Sequence, residues 1–186
     1  KRSSDGGLSW GADTRLTNNS SLSDDPSVSV SGQVIHIVFY DKRDGNYEIY
    51  YKRSSDGGSS WGADTRLTNN ALISGRPCVA ISGQFVHVLW HDNRDGNYEI
   101  YYKRSADGGS TWGADTRLTN NSSLSEYSSV SASGQAAHVV WIDSRDGNPE
   151  IYYKRSIDGG SSWGADTRLT NGTNSSYYPS VAISGQ

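Results

Sequence analysis

The sequence is short of the residues that ordinarily build a core. Of 186 residues only two are Phe, four are Pro and one is Cys, and the hydrophobic set amounts to 33%. So low an aliphatic content would signal disorder if a large net charge accompanied it. None does: 17 Lys and Arg stand against 20 Asp and Glu, a formal charge of -3. Twelve Tyr and six Trp supply the large apolar surfaces that the aliphatics do not, so an ordered, aromatic-rich protein is expected. The two signs of charge are interspersed, with no basic stripe and no basic amphipathic segment, so neither nucleic acid nor a membrane surface is indicated as a partner. No apolar run reaches the length of a transmembrane helix. The start falls inside a repeat, so no targeting segment can be read from it. Cys78 stands where the sister repeats carry Ser, and is expected to be a small buried filler rather than a nucleophile or ligand. Helical periodicity is also missing throughout.

What the chain has instead is repetition. Aligned on Lys-Arg-Ser, the units are 1–51, 52–102, 103–153 and a truncated 154–186. The stretch WGADTRLTN occurs in all four units, and RDGN in the three that reach it. Each unit carries four strand-like stretches separated by turn chemistry. PSVSVSGQ places apolar residues at every second position. VIHIVFYD is a nearly continuous β-branched and aromatic run, as expected for a strand buried on both faces. RDGN then supplies the Asp-Gly signal of a hairpin. YEIYYKRS reads as the third strand, and WGADTRLT, after a Gly-rich decapeptide, as the fourth. Four strands per unit of about 40 to 50 residues is the signature of a β-propeller blade. The fold class is therefore all-β, a β-propeller of four-stranded antiparallel blades, three complete and a fourth in part. One blade cannot bury both of its faces, so the units must stack.

The decapeptides KRSSDGGLSW, KRSSDGGSSW, KRSADGGSTW and KRSIDGGSSW fit the pattern S-x-D-x-G-x-x-W. The matching residues are Ser3, Asp5, Gly7 and Trp10; Ser54, Asp56, Gly58 and Trp61; Ser105, Asp107, Gly109 and Trp112; and Ser156, Asp158, Gly160 and Trp163. This pattern resembles the Asp-box, the bacterial neuraminidase repeat of sialidases and sialidase-like propellers. At an unbroken 51-residue period, the resemblance covers the whole chain as a single segment, 1–186. It implies that each box lies in the turn between third and fourth strands, on the face opposite any active site, and it favours an extracellular or cell-surface setting. The residues themselves suggest a turn staple, in which Asp accepts backbone N–H groups, Gly permits positive φ, and Trp folds back over the hairpin.

A catalytic role needs more. In a sialidase-like enzyme three arginines grip a carboxylate, a Tyr/Glu pair supplies the nucleophile and an Asp the acid/base, all from different blades. Near-identical repeats offer one residue everywhere, so Arg15, Arg66, Arg117 and Arg168, and Glu48, Glu99 and Glu150, are expected to be scaffold, and no catalytic residue is assigned. The hairpin carboxylates Asp41, Asp44 and Glu48, with Asn46, are spaced only loosely like a calcium loop. A structural turn is favoured there over a bound cation, and no other cofactor is indicated. The repeated His36, His87 and His138 are expected in the core or between blades. His91 has no histidine counterpart.

The repeats disagree mainly before the first strand, where SSLSDDP, ALISGRP, SSLSEYS and TNSSYYP correspond, and around the RDGN hairpin. The family's geometry places both loop sets on one face, whose candidate ligand-contacting residues are Arg43, Arg76, His91, Arg94, Arg145, Tyr47 and Tyr98. The expected role is a non-catalytic scaffold or recognition module, with a glycan or protein as partner. Two rivals stay open: part of a sialidase-like glycoside hydrolase, and a designed or amplified repeat whose role ends with folding and assembly. The unpaired blade edges imply either a piece of a longer array or homo-oligomerisation, in which one chain completes another.

Overall fold

A computed structural model describes residues 1–184. Its twelve strands form three four-stranded antiparallel sheets in sequence order, with no helix among the described residues. The first blade holds β1 (Ser23–Ser31), β2 (Val34–Asp41), β3 (Glu48–Ser54) and β4 (Thr65–Arg66). The second holds β5 (Ser74–Ser82), β6 (Phe85–Asp92), β7 (Glu99–Ser105) and β8 (Thr116–Arg117). The third holds β9 (Ser125–Ser133), β10 (Ala136–Asp143), β11 (Glu150–Ser156) and β12 (Thr167–Arg168). Residues 1–22 and 169–184 carry no strand.

Two boundaries differ from the sequence expectation. The first strand starts earlier, at Ser23, Ser74 and Ser125, and absorbs part of the variable segment before it. The fourth shrinks from eight residues to two: before it Asp64 is held by Arg43 and Lys52, and beyond it, after the Leu67 amide donates to the Ile49 carbonyl at 2.7 Å, side chains replace the ladder. The Thr68 hydroxyl accepts from the Ile49 amide at 2.8 Å, and the buried Glu48 carboxylate accepts from the Arg66 guanidinium at 2.9 Å, from the Asn70 amide at 3.1 Å and from the Thr68 hydroxyl. With its polar groups bonded this way, the segment needs no further strand pairing.

The cores lie between blades rather than within them. Val38, Ile49, Tyr51 and Leu67 of the first blade cluster with Val79, Val88 and Trp90 of the second. Leu89, Ile100, Tyr102 and Leu118 of the second cluster with Val139 and Trp141 of the third. Each such side chain contributes about 1.5–3 kcal/mol when fully buried, and that stabilisation exists only where a neighbouring blade is present.

The Asp-box secures both the turn and this seam. Ser54 Oγ donates to Asp56 Oδ1 at 2.8 Å and accepts the Gly58 amide at 2.8 Å, while Asp56 Oδ1 accepts the Ser60 amide at 2.9 Å. The other three boxes repeat the pattern. The tryptophan reaches further than a cap over its own hairpin. Trp112 meets Tyr51 of the preceding blade edge-on at 4.9 Å, and Trp163 meets Tyr102 at 5.0 Å. Those tyrosines bond the repeated histidines within their own blades: His36 Nδ1 lies 2.7 Å from the Tyr51 hydroxyl, and His87 Nδ1 2.8 Å from that of Tyr102. Burial holds both imidazoles at a pKa of about 4, so they are neutral at ordinary pH.

Candidate functional site

Antiparallel pairing puts the RDGN hairpin and the start of the first strand at one end of each blade, and the Asp-box at the other. Asp41 pairs with both Ser23 and Glu48, whereas Ser54 pairs at the far end of β3. Seven residues of β3 separate the ends by roughly 20 Å.

At the hairpin end the first strand of each blade carries a bulge, marked by a register shift between Asp24 and Ser27 in β1 and between Gly75 and Cys78 in β5. Inside it Asp25, Arg76 and Tyr127 adopt left-handed backbone, with φ of 46°, 50° and 53°, and Tyr178 of the last unit follows at 55°. Every other left-handed position among the described residues is a glycine. A side chain there costs on the order of 1 kcal/mol each. These four residues occupy one repeat position and are of three kinds: an acid, a base and two tyrosines.

They also converge. Asp25, Arg76, Tyr127 and Tyr178, with Pro26, Pro77, Ser128 and Pro179, line one groove of about 290 Å³. Equivalent residues from four successive units can meet in one groove only near the axis about which the blades are arranged. The Arg76 guanidinium lies over the Tyr127 ring at 4.3 Å and 3.9 Å from the Asp25 carboxylate. Tyr127 meets Tyr178 edge-on at 5.5 Å, and Tyr178 is 76% exposed. A second groove of about 220 Å³ shares Asp25 and Arg76 and adds Tyr40, Tyr47, Ile73, Gly75, His91 and Tyr98.

The second groove is asymmetric. Gly75 stands where the first unit has Asp24 and the third Glu126. A β-carbon there would lie 3.1 Å from His91 Nε2, so the glycine makes room for the histidine. His91 is buried, packs on Tyr98 with ring centroids 4.5 Å apart, and points Nδ1 toward Glu126 of the third blade at 3.7 Å. Burial, with Arg76 nearby, lowers the histidine pKa to about 4, and burial raises that of Glu126.

Of the residues singled out from sequence, Arg76, His91, Tyr47 and Tyr98 are brought together here. Arg43, Arg94 and Arg145 are not. Arg43 is held at 2.7 Å by both Asp41 and Asp64 and lies over Tyr50, and the other two repeat this arrangement. Asp25, Glu126, Tyr127 and Tyr178 were missed, although they fall within the segments where the repeats differ. The hairpin carboxylates are engaged by protein donors: Asp41 by Arg43, Ser23 and Asn19, Asp44 by Tyr50 and Arg66, and Glu48 by Arg66 and Thr68. Among the described residues no group of three or more His, Cys, Asp or Glu is placed to hold a metal ion.

A family model described as a BNR repeat-like domain matches residues 28–182. No curated protein matches the chain. Among solved structures, the chain resembles Trypanosoma rangeli sialidase in complex with 2,3-difluorosialic acid (TM-score 0.58, 16% identity, 80% of this chain and 30% of that one). It also resembles the catalytic domain of the Coprinopsis cinerea GH62 α-L-arabinofuranosidase (TM-score 0.53, 14% identity, 82% and 52%). A Podospora anserina α-L-arabinofuranosidase in complex with cellotriose is similar at TM-score 0.52 and 13% identity, over 78% and 50%. The chain thus spans from 30% to about half of these structures, and at such identity the likeness is one of fold.

Proposed function

Since the chain belongs to the BNR repeat-like domain family, a sialidase-like propeller module related to glycoside hydrolases, we propose that it binds a glycan in the axial groove at its hairpin end. The observation that carries this reading is the set Asp25, Arg76, Tyr127 and Tyr178, four large or charged side chains of three kinds kept on left-handed backbone where glycine would be cheaper. The exposed ring of Tyr178, backed by the half-buried Tyr127, suits the apolar face of a pyranose, and Asp25 and Arg76 suit its hydroxyls, the usual division of labour in a ligand site. An extracellular or cell-surface setting goes with such a ligand.

The test is a glycan array followed by calorimetry on the best hit. Arg76→Ala and Tyr127→Ala should each weaken binding about 10- to 100-fold, while Ser9→Ala, in a box at the opposite end, should not. A silent array at millimolar ligand overturns the reading. A hydrolytic function is favoured by one observation, the carboxyl of Asp25 lining the second groove while that of Glu126, from another blade, stands 3.7 Å behind its lining residue His91. Turnover of a chromogenic arabinofuranoside or sialoside that Glu126→Gln abolishes would establish it.

A further inference from the structure

The interface between successive blades is made twice inside the chain, and its two halves recur on the outer faces of the first and third blades. On the first blade, Val28 is 61% exposed although its counterpart Val79 is 7% exposed in the seam between the first and second blades. On the third blade, Leu169 is 55% exposed, whereas Leu67 and Leu118 are at 4% and 6% in the two internal seams. Both faces are therefore apolar surfaces whose complement is known from the same molecule. Leu67 clusters with Val79 internally, so the surface carrying Leu169 matches the surface carrying Val28.

The ends of the chain already mark what fits there. At the third blade the Val181 amide donates to Ser129 Oγ at 3.3 Å, repeating the contact of the Val79 amide with Ser27 Oγ at 3.2 Å. At the first blade the Arg2 guanidinium donates to Ser59 Oγ at 2.9 Å, as Arg104 does to Ser161 Oγ at 2.8 Å in the second seam. Residues 177–184 thus lie along the third blade as the innermost strand of a following blade would. Residues 1–22 lie along the first as the outer part of a preceding blade would. Each covers its face only in part, since Val28 and Leu169 stay exposed beside them.

We propose that the chain self-associates head to tail, with the first blade of one copy seated on the third blade of the next. The incoming blade carries Pro26–Gln33, which matches Pro179–Gln186 at all but two positions, and β2 and β3 besides. It replaces the C-terminal segment of one copy with the same sequence plus the strands that complete the seam, and the third blade in turn displaces residues 1–22 of the incoming copy, which hold that face through Arg2 and Ser59. The contact is heterologous: it closes into a ring when the rotations of the blades sum to a full turn, and otherwise extends.

Sedimentation velocity of the full chain at micromolar to hundred-micromolar concentration tests this, with two variants at exposed positions. Val28→Asp spoils one face and Leu169→Asp the other. Either alone should weaken association by a factor on the order of 100, since each places a charge in an apolar seam. Mixed in equal amounts, they should recover a 1:1 pair, because the sound third blade of the first variant fits the sound first blade of the second. A wild-type chain that stays monomeric throughout overturns the proposal. So does association unaffected by the variants, or a mixture that fails to pair. Should either aspartate lower the melting temperature, threonine at the same two positions carries the test.

Discussion

Gly58 and Gly109 occupy the same place in successive Asp-boxes and share a φ of +87°. Alanine at either therefore meets the same backbone strain, about 1–2 kcal/mol. Their surroundings differ. A β-carbon on Gly58 meets Ile35 Cδ1 at 3.3 Å, the tip of a flexible side chain, whereas one on Gly109 would fall 2.1 Å from the Tyr51 hydroxyl of the preceding blade. Tyr51 would have to leave, which breaks its buried hydrogen bond with His36 and its edge-on contact with Trp112. Those losses come to about 1–3 kcal/mol and 0.5–1.5 kcal/mol. Gly109→Ala should thus cost roughly 2–4 kcal/mol more than Gly58→Ala, or about 5–15 °C of melting temperature for a chain of this size. Thermal melts followed by circular dichroism on the two single variants measure the difference directly. Equal melting temperatures would refute the view that the box glycine exists to admit the neighbour's tyrosine.

The buried histidines set an acid limit. His36 and His87 have folded pKa values of about 4 against an ordinary 6.5, so the unfolded chain binds the extra proton. Stability from this source is complete above about pH 6.5 and is lost as pH falls toward 4, on the order of 1–3 kcal/mol per histidine. Urea midpoints at pH 7, 5.5 and 4.5 should fall in that order, and a flat profile would count against neutral burial. Cys78 should be sluggish: burial pushes its thiol up to about 11, so labelling by an aromatic disulfide at pH 8 should run on the order of 100-fold slower than for a free thiol until urea unfolds the chain. Rapid labelling of the native protein would contradict its packing against Ser128.

The blade was legible in the sequence because repetition multiplies weak local signals. Strand alternation, Asp-Gly turns and the box recur at one spacing, and the three sheets follow them. The length of the fourth strand was not legible, since the side-chain bonds of Glu48 and Thr68 that replace its ladder connect residues about twenty apart. The candidate groove was half legible. Arg76 and His91 stood out as unrepeated residues, but Arg43, Arg94 and Arg145 look equally available in sequence and are in fact bound between two aspartates. Asp25, Tyr127 and Tyr178 lay in segments seen to vary, yet their significance depends on a backbone conformation that no residue type announces. The bulge that produces it is visible only in the register of each blade's first strand against its second.

The reach of each box tryptophan onto the tyrosine 61 positions earlier has a consequence for insertions and deletions. A unit of 51 residues contains both ends of this contact, a tryptophan for the blade before it and a tyrosine for the blade after. Adding or removing one whole unit therefore leaves every internal tryptophan with an acceptor, and the number of blades can change without any compensating substitution. An insertion of any other length that separates a box from its strand strands one ring of the pair. Copy number is thus a free variable of this architecture, while spacing is not.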